Sequence, residues 1–120
     1  LRDPLNFLDD SSVDVVLAPL VMDYIEDWIP VFKEFNRILM QESPFVFSIE
    51  HPFAKGLWQK SEDYFKVEKV EELWTGFGAP ISIQSFKRPL EAVVNSLFFS
   101  GFRIERIIEP RPTVEFRDKL

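Results

Sequence analysis

Residues 13–49 constrain the fold of this chain more than any other stretch, because an apolar run, an amphipathic run and a second apolar run follow one another there. Val13, Val15, Val16 and Leu17 are broken only by Asp14 and stopped by Ala18-Pro19. Such a run fits a strand buried on both faces, which favours a parallel sheet. From Trp28 the apolar positions Val31, Phe32, Phe35, Ile38 and Leu39 recur three and four apart, with Lys33, Glu34, Asn36 and Arg37 between them. That spacing predicts a helix with one apolar face, Asp27 as its N-cap, and Pro30 in the first turn, where a missing N–H costs little. Phe45, Val46, Phe47, Ser48 and Ile49 predict a second strand, entered through Ser43-Pro44. Strand, crossover helix and strand make a βαβ unit, almost always right-handed.

The composition agrees with a packed domain. Of 120 residues 46% are hydrophobic and 15% aromatic, thirteen of them Phe, too many for a disordered chain. A formal net charge of −6 argues against a nucleic-acid groove, which needs a basic stripe to neutralise phosphates. The absence of Cys excludes a disulfide framework and a Cys-based zinc site, and suits a reducing interior. No apolar run approaches the roughly 20 residues of a membrane span. Asp3, Asn6, Asp9 and Asp10 do not compose a signal peptide, so the expected location is cytoplasmic, with neither membrane nor nucleic acid as partner. One His among scattered carboxylates gives no metal-ligand spacing, and no metal is expected.

Along the rest of the chain, Leu1 opens without Met in the middle of a loop, which reads as a fragment. Residues 20–25 form a short connection or single helical turn before the helix. After Ile49, Pro52 disfavours helix at His51, and residues 54–60 read as a short helix. Residues 81–86 alternate as Ile-Ser-Ile-Gln-Ser-Phe, a half-buried strand that would pair back near Val70 as a hairpin flap. Pro89 starts a helix with Leu90, Val93, Val94, Leu97 and Phe98 on one face and Gly101 just past its end. Phe102, Ile104, Ile107 and Ile108 read as a third core strand, closed by Pro110-Arg111-Pro112. The order β-α-β, insert, α-β describes an α/β domain whose ligand crevice lies at the C-terminal ends of parallel strands.

The succession of Asp3-Pro4-Leu5-Asn6-Phe7, Ser12-Val13-Asp14-Val15-Val16-Leu17, residues 20–28, Phe32 through Leu39, Phe45 through Phe53, Arg88-Pro89-Leu90 and Gly101-Phe102 to Pro112 resembles the second half of a class I S-adenosylmethionine-dependent methyltransferase of the small-molecule type. The resemblance covers nearly the whole chain. It implies a partial Rossmann-like, seven-stranded methyltransferase sheet represented by strands four to six and their crossover helices. Residues 1–120 would form a single partial domain, with 52–87 as a lid-like insert over the substrate. It implies S-adenosylmethionine as cofactor and transfer of its methyl group to an O, N or C atom of a small molecule. The glycine-rich cofactor loop and the seventh strand of the family are expected outside this chain, leaving open sheet edges for self-association.

By the same resemblance Leu1 and Arg2 match the place where backbone N–H groups grip the adenine. Ala18, Pro19 and Leu20 match those that touch the methionine and sulfonium end. Pro19 departs from the pattern because it has no N–H, and Asp23 stands where relatives often carry His. Met40-Gln41-Glu42-Ser43-Pro44 replaces the family's Lys-Pro-Gly-Gly turn. His51, the one His, is at a strand's C-terminal end where it would serve as catalytic base, or as a structural group bonded to backbone or to Glu50. Tyr24 would face the sulfonium or pack in the core. Asp23 would balance ligand charge or the helix dipole. Trp74 would join an aromatic lid or cover a sheet edge, and Arg88 would reach an anionic acceptor or be an ordinary surface or capping Arg. Two other classes remain open: a non-catalytic methyltransferase-like binding module, and a truncated chain completed by a partner chain.

Overall fold

The computed structural model describes residues 3–119. Strand β1 (Val16–Pro19), helix α1 (Trp28–Ile38) and strand β2 (Phe45–Ser48) form the expected parallel βαβ unit, with Val16 opposite Phe45 and Pro19 opposite Ser48. The first strand begins later than its apolar run does. Val13 makes only an isolated bridge to Leu39, and the continuous ladder starts where Phe45 comes alongside Val16. Nor is the strand covered on both sides: Ala18 turns into the core, whereas Leu17 is 67% exposed and Val46 lies beside it on the same open face. Helix α1 packs on the other face of this pair of strands, where Val93 and Leu97 of the later helix and Phe102 join the same core.

Helix α1 forms where the periodicity placed it. Asp27 Oδ1 accepts from Ile29 N at 3.2 Å, which satisfies one of the helix's orphan donors. Its buried face, Trp28, Val31, Phe32, Phe35 and Ile38, packs on Phe45 and Phe47 of β2. Phe32 is the hub, with ring centroids 5.4 Å from Trp28, 5.2 Å from Phe45 and 5.5 Å from Phe47. On its outer side Arg37 bonds Glu34, Asp10 and the carbonyls of Leu5 and Leu8, which ties the N-terminal approach to the helix. In the turn before β2, Glu42 occupies the left-handed region with φ 66°, a position glycine fills at lower cost.

After β2 come α2 (Pro52–Trp58), the antiparallel strands β3 (Glu68–Trp74) and β4 (Ile81–Lys87), helix α3 (Leu90–Phe99) and a last turn, α4 (Val114–Arg117). The hairpin pairs Val70 with Ser85, as its alternation predicts. Glu68, Glu72, Ile83, Ser85 and Lys87 turn to the better-covered side, and Lys69, Glu71 and Gln84 to solvent. Helix α3 packs on α1 and ends in a Schellman motif: Phe102 N donates to Leu97 O at 3.0 Å, Gly101 N to Phe98 O at 3.2 Å, and Gly101 takes φ 87°.

The third core strand is not formed. Residues 102–113 carry no strand pairing among the described residues, and Ile107 and Ile108 are exposed. The segment does run alongside β2 in the same direction, since the Phe102 ring sits 5.3 Å from Phe45 at one end and Glu109 meets His51 at the other. Its first aromatic does seek the core. A strand also needs a neighbour's backbone within ladder distance, and no neighbour stands there among the described residues.

Candidate functional site

Both strands of the βαβ unit end at the same pole of the molecule, and the segments that leave them meet there. The chain leaves β1 through Pro19 and Leu20, whose φ of 50° turns it sharply into a 3-10 turn, Met22–Tyr24. Trp28 Nε1 holds that turn from below, donating to Met22 O at 2.8 Å and Ile25 O at 3.1 Å. The turn thereby presents Asp23 to the end of β2, where Glu50 N donates to Asp23 Oδ2 at 3.2 Å. Tyr24 is beside them, partly exposed.

From the other side α2 contributes Lys55, whose side chain is only 3% exposed, with Nζ 3.9 Å from Asp23 Oδ1 and 3.8 Å from Glu50 Oε2. The hairpin adds Glu72. Its carboxylate accepts from Gln59 Nε2 at 2.5 Å and, at a long 3.4 Å, from Trp74 Nε1. Strand β4 packs against the 3-10 turn and brings the hairpin over this pole. Partial burial, with the carboxylates of Glu50, Asp23 and Glu72 close by, keeps the Tyr24 phenol protonated above the ordinary tyrosine range. Burial likewise raises the proton affinity of Glu50, against the opposing pull of Lys55 and with support from Glu72 and Asp23. Asp23, Tyr24, Glu50, Lys55, Gln59, Glu72 and Trp74 thus form one connected group.

Of the residues named from sequence, Asp23, Tyr24 and Trp74 belong to this group, Pro19 and Leu20 lead from β1 into it, and Ala18 turns into the core. Leu1 and Arg2 lie outside the described residues. Arg88 does not reach toward an anion. The side chain is buried, NH2 donates to Ile25 O at 2.8 Å and Glu26 O at 3.1 Å, and the guanidinium lies 4.0 Å from the centre of the Trp28 ring. Burial lowers its pKa to about 10 despite the opposing influence of Asp23, Asp27 and Glu26. It clamps the connection that follows the 3-10 turn.

His51 occupies the end of β2, and both ring nitrogens are engaged. Nδ1 accepts from Phe53 N at 3.2 Å, so His51 is the N-cap of α2, and Nε2 meets Glu109 Oε2 at 2.6 Å. An Nδ1 that accepts leaves the proton on Nε2, which donates to Glu109. As arranged, the ring has no free lone pair for an acceptor's proton.

Sequence reasoning passes over Glu50, Lys55, Gln59, Glu72 and Glu109 as site residues. Glu50 is findable from its position at a strand's C-terminal end, and Glu72 from sharing a strand face with Trp74. A lysine ordinarily reads as solvated surface, so nothing in the local sequence marks Lys55. Among the described residues no three His, Asp or Glu groups converge closely enough to hold a metal ion, and no helix is long and apolar enough to cross a membrane.

No family model and no curated protein matches the chain. Solved structures do. The chain superposes with a TM-score of 0.71 at 21% identity on a structure from Listeria monocytogenes provisionally described as an S-adenosylmethionine dependent methyltransferase, covering 92% of this chain and 57% of that one. It superposes with a TM-score of 0.65 at 25% identity on an S-adenosylmethionine dependent methyltransferase from Mesorhizobium loti, covering 90% of this chain and 53% of that one. This α/β chain has the class I S-adenosylmethionine-dependent methyltransferase fold. It spans a little over half the length of each of these two structures.

Proposed function

We propose that the protein containing this chain transfers a methyl group from S-adenosylmethionine to a small molecule. In this reading β1 and β2 are the fourth and fifth strands of a seven-stranded sheet and residues 102–110 lie where the sixth belongs. Residues 52–87 cap the acceptor. The observation that carries the reading is the meeting of Asp23, Tyr24 and Glu50 beyond the C-terminal ends of two parallel strands, the place where open α/β sheets bind ligands.

The residues present suit a cation at this rim. Pro19 has no N–H, and that of Leu20 is taken by Ser48, at 3.0 Å to O and 3.1 Å to Oγ. No free N–H of residues 19 and 20 therefore opposes a positive sulfur. Three carboxylates against one ammonium leave the mouth net negative, and the Tyr24 ring adds an aromatic face worth about 0.5–2 kcal/mol to a nearby cation. Ala18, Pro19 and Leu20 would line the methionine end. When bound, the cofactor supplies an activated methyl group on a sulfur that leaves readily. The chain's own part is to align the acceptor with that group and to keep water out beneath β3 and β4.

The test is incubation of the complete protein with methyl-labelled S-adenosylmethionine and small-molecule extracts of the producing cells. Label is expected in a low-molecular-weight product, with Asp23→Asn lowering kcat/KM about 10–100-fold, the range of a lost orienting contact. Label appearing in no product overturns the assignment. His51→Ala with unchanged turnover would remove the base role and leave the cap of α2. Pro19 favours one second reading, a binding module without transfer, which tight cofactor binding with no labelled product would establish. The outer edges of β1 and β2 carry ladder groups that a second copy of the chain could pair with, and mass measurement in solution checks this association.

A further inference from the structure

We propose that Lys55 and Glu50 form a hydroxyl-binding subsite, so that the acceptor taken by this crevice is an alcohol or phenol and the methylated atom is oxygen. The inference rests on the methyltransferase reading and narrows it from O, N or C to one class.

Lys55 is the unusual feature. Its side chain is only 3% exposed, and a lysine drawn in so far ordinarily spends its ammonium donors on protein acceptors, because leaving such a group unbonded is costly. Its two carboxylate neighbours stand at 3.8 Å and 3.9 Å, too far to accept a hydrogen bond from it. The contrast with Lys87 is direct: that buried ammonium donates at 2.7 Å to both Asp63 O and Lys66 O. Among the described residues Nζ of Lys55 makes no hydrogen bond to its counter-charges, and an oxygen set to one side of the line from Nζ to Glu50 Oε2 would reach both. An oxygen about 2.8 Å from each subtends close to a right angle across that separation, acceptable geometry for a group that accepts from one side and donates to the other.

The chemistry of the two walls selects what can sit there. A protonated amine would face the ammonium of Lys55 and have no lone pair to offer it, and a neutral arylamine such as aniline is a weaker donor to Oε2 than a phenol, its lone pair being drawn into the ring. A carboxylate or phosphate would face Glu50, with Asp23 beyond. A hydroxyl satisfies both, accepting from Nζ and donating to Oε2, and Lys55 then stabilises the negative charge that grows on oxygen as the proton leaves. In the transfer step the hydroxyl proton passes to the Glu50 carboxylate and an oxygen lone pair forms the new O–C bond. The methyl carbon's bond to sulfur breaks at the same time, with its pair remaining on sulfur. The raised proton affinity of Glu50 suits it to receive that proton. Asp23, Tyr24, Glu72 and Lys55 are the other ionisable groups that face it. Asp23 holds the Glu50 backbone and so positions the base.

The inference is tested on the complete protein with phenol, aniline and anisole as probes, their binding followed by the emission of Trp58 and Trp74 in the absence of cofactor. Phenol is expected to bind at least tenfold more tightly than either of the others, with Lys55→Met abolishing the preference and Lys55→Arg retaining part of it. Should Lys55→Met fail to fold, Glu50→Gln takes its place and is expected to reduce the preference several-fold. Aniline or anisole binding as well as phenol, or a preference untouched by these variants, overturns the subsite, as it would if the gap holds only a water. A separate readout is the position of the methyl group in product formed with S-adenosylmethionine. Methyl on oxygen supports the subsite, and methyl on nitrogen or carbon overturns it while leaving the methyltransferase reading standing. Absence of any product defeats that reading instead, and the binding preference still decides the subsite.

Discussion

Between β1, α1 and β2 the chain buries carbon, and across α2, β3 and β4 it buries charge. The first region encloses Trp28, Phe32, Phe35 and Ile38 against Phe45 and Phe47. In the second, the buried side chains include Lys55, Ser85 and Lys87, with Arg88 where β4 passes into α3. Apolar burial is non-directional and contributes roughly 25 cal/mol per Å², so the first region has a floor that tolerates neither opening nor rearrangement. Buried charge is stabilising only while each donor finds its acceptor, and it is lost abruptly when one partner moves. The division suits a crevice with a rigid base and a cover held by a few directional bonds.

The largest expected effect is in the floor. Phe32→Ala removes the ring that touches Trp28, Phe45 and Phe47, and the cavity left behind should cost about 3–5 kcal/mol in denaturant unfolding. A cost below about 2 kcal/mol would mean that this cluster can collapse, and the contrast with the hairpin would weaken. Next is Lys87→Met, which strands the carbonyls of Asp63 and Lys66 and the carboxylate of Glu68. About 2–3 kcal/mol of local stability should go, charge-assisted bonds being worth roughly 1.5–3 kcal/mol each before compensation by water. Hydrogen exchange should quicken across β3 and β4 and stay unchanged in α1. Equal loss in both regions would show that they unfold as one unit.

A smaller effect is expected where the floor joins the end of α3. Gly101 holds φ 87°, and a Cβ there would sit 2.6 Å from Asn36 Nδ2, the atom that donates to Ser100 O. Gly101→Ala should cost about 1–2 kcal/mol for the left-handed backbone, with some addition for the displaced bond between α1 and the end of α3. Thermal unfolding with and without Asn36→Ala divides the two contributions.

Legibility in the sequence divides the same way. Carbon announces itself through periodicity: the spacing of Trp28, Val31, Phe32, Phe35 and Ile38 places α1 and its N-cap Asp27 within a residue, and the alternation of Ile81 and Ile83 with Ser82 and Gln84 places β4. Partnership does not. Phe102, Ile104, Ile107 and Ile108 carry a strand's pattern yet form none, because pairing depends on a neighbour that local sequence does not encode. Lys87 and Arg88 look solvated in sequence and are buried in the fold, since what buries a charge is a set of acceptors 21 to 63 residues away, such as Lys66 O for Lys87 and Ile25 O for Arg88. Of the site, the location is readable from strand direction, together with Asp23, Tyr24 and Trp74. Its charged half is not, because Glu72 and Gln59 meet only after the hairpin closes over α2.

The smallest expected effect is also the one that most sharpens the comparison, since it asks whether charge in the cover is a net cost. Burial and the neighbouring Glu72 and Asp23 outweigh Lys55 and raise the pKa of Glu50 on folding. A carboxyl whose folded pKa is raised binds its proton more tightly in the fold than in the unfolded chain. Its contribution is therefore fully present below the ordinary carboxylate range and is lost as pH climbs through the raised value, so that at neutral pH the ionised Glu50 works against folding. Glu50→Gln cannot ionise. It should match the parent protein in acid and exceed it at neutral pH, by less than about 1 kcal/mol because the side chain is partly solvated. Stability curves of the two proteins measured from acid to neutral pH should diverge with rising pH. If they converge instead, the pairing of Glu50 with Lys55 is a net gain at neutral pH, and the cover is held by charge as firmly as the floor is by carbon.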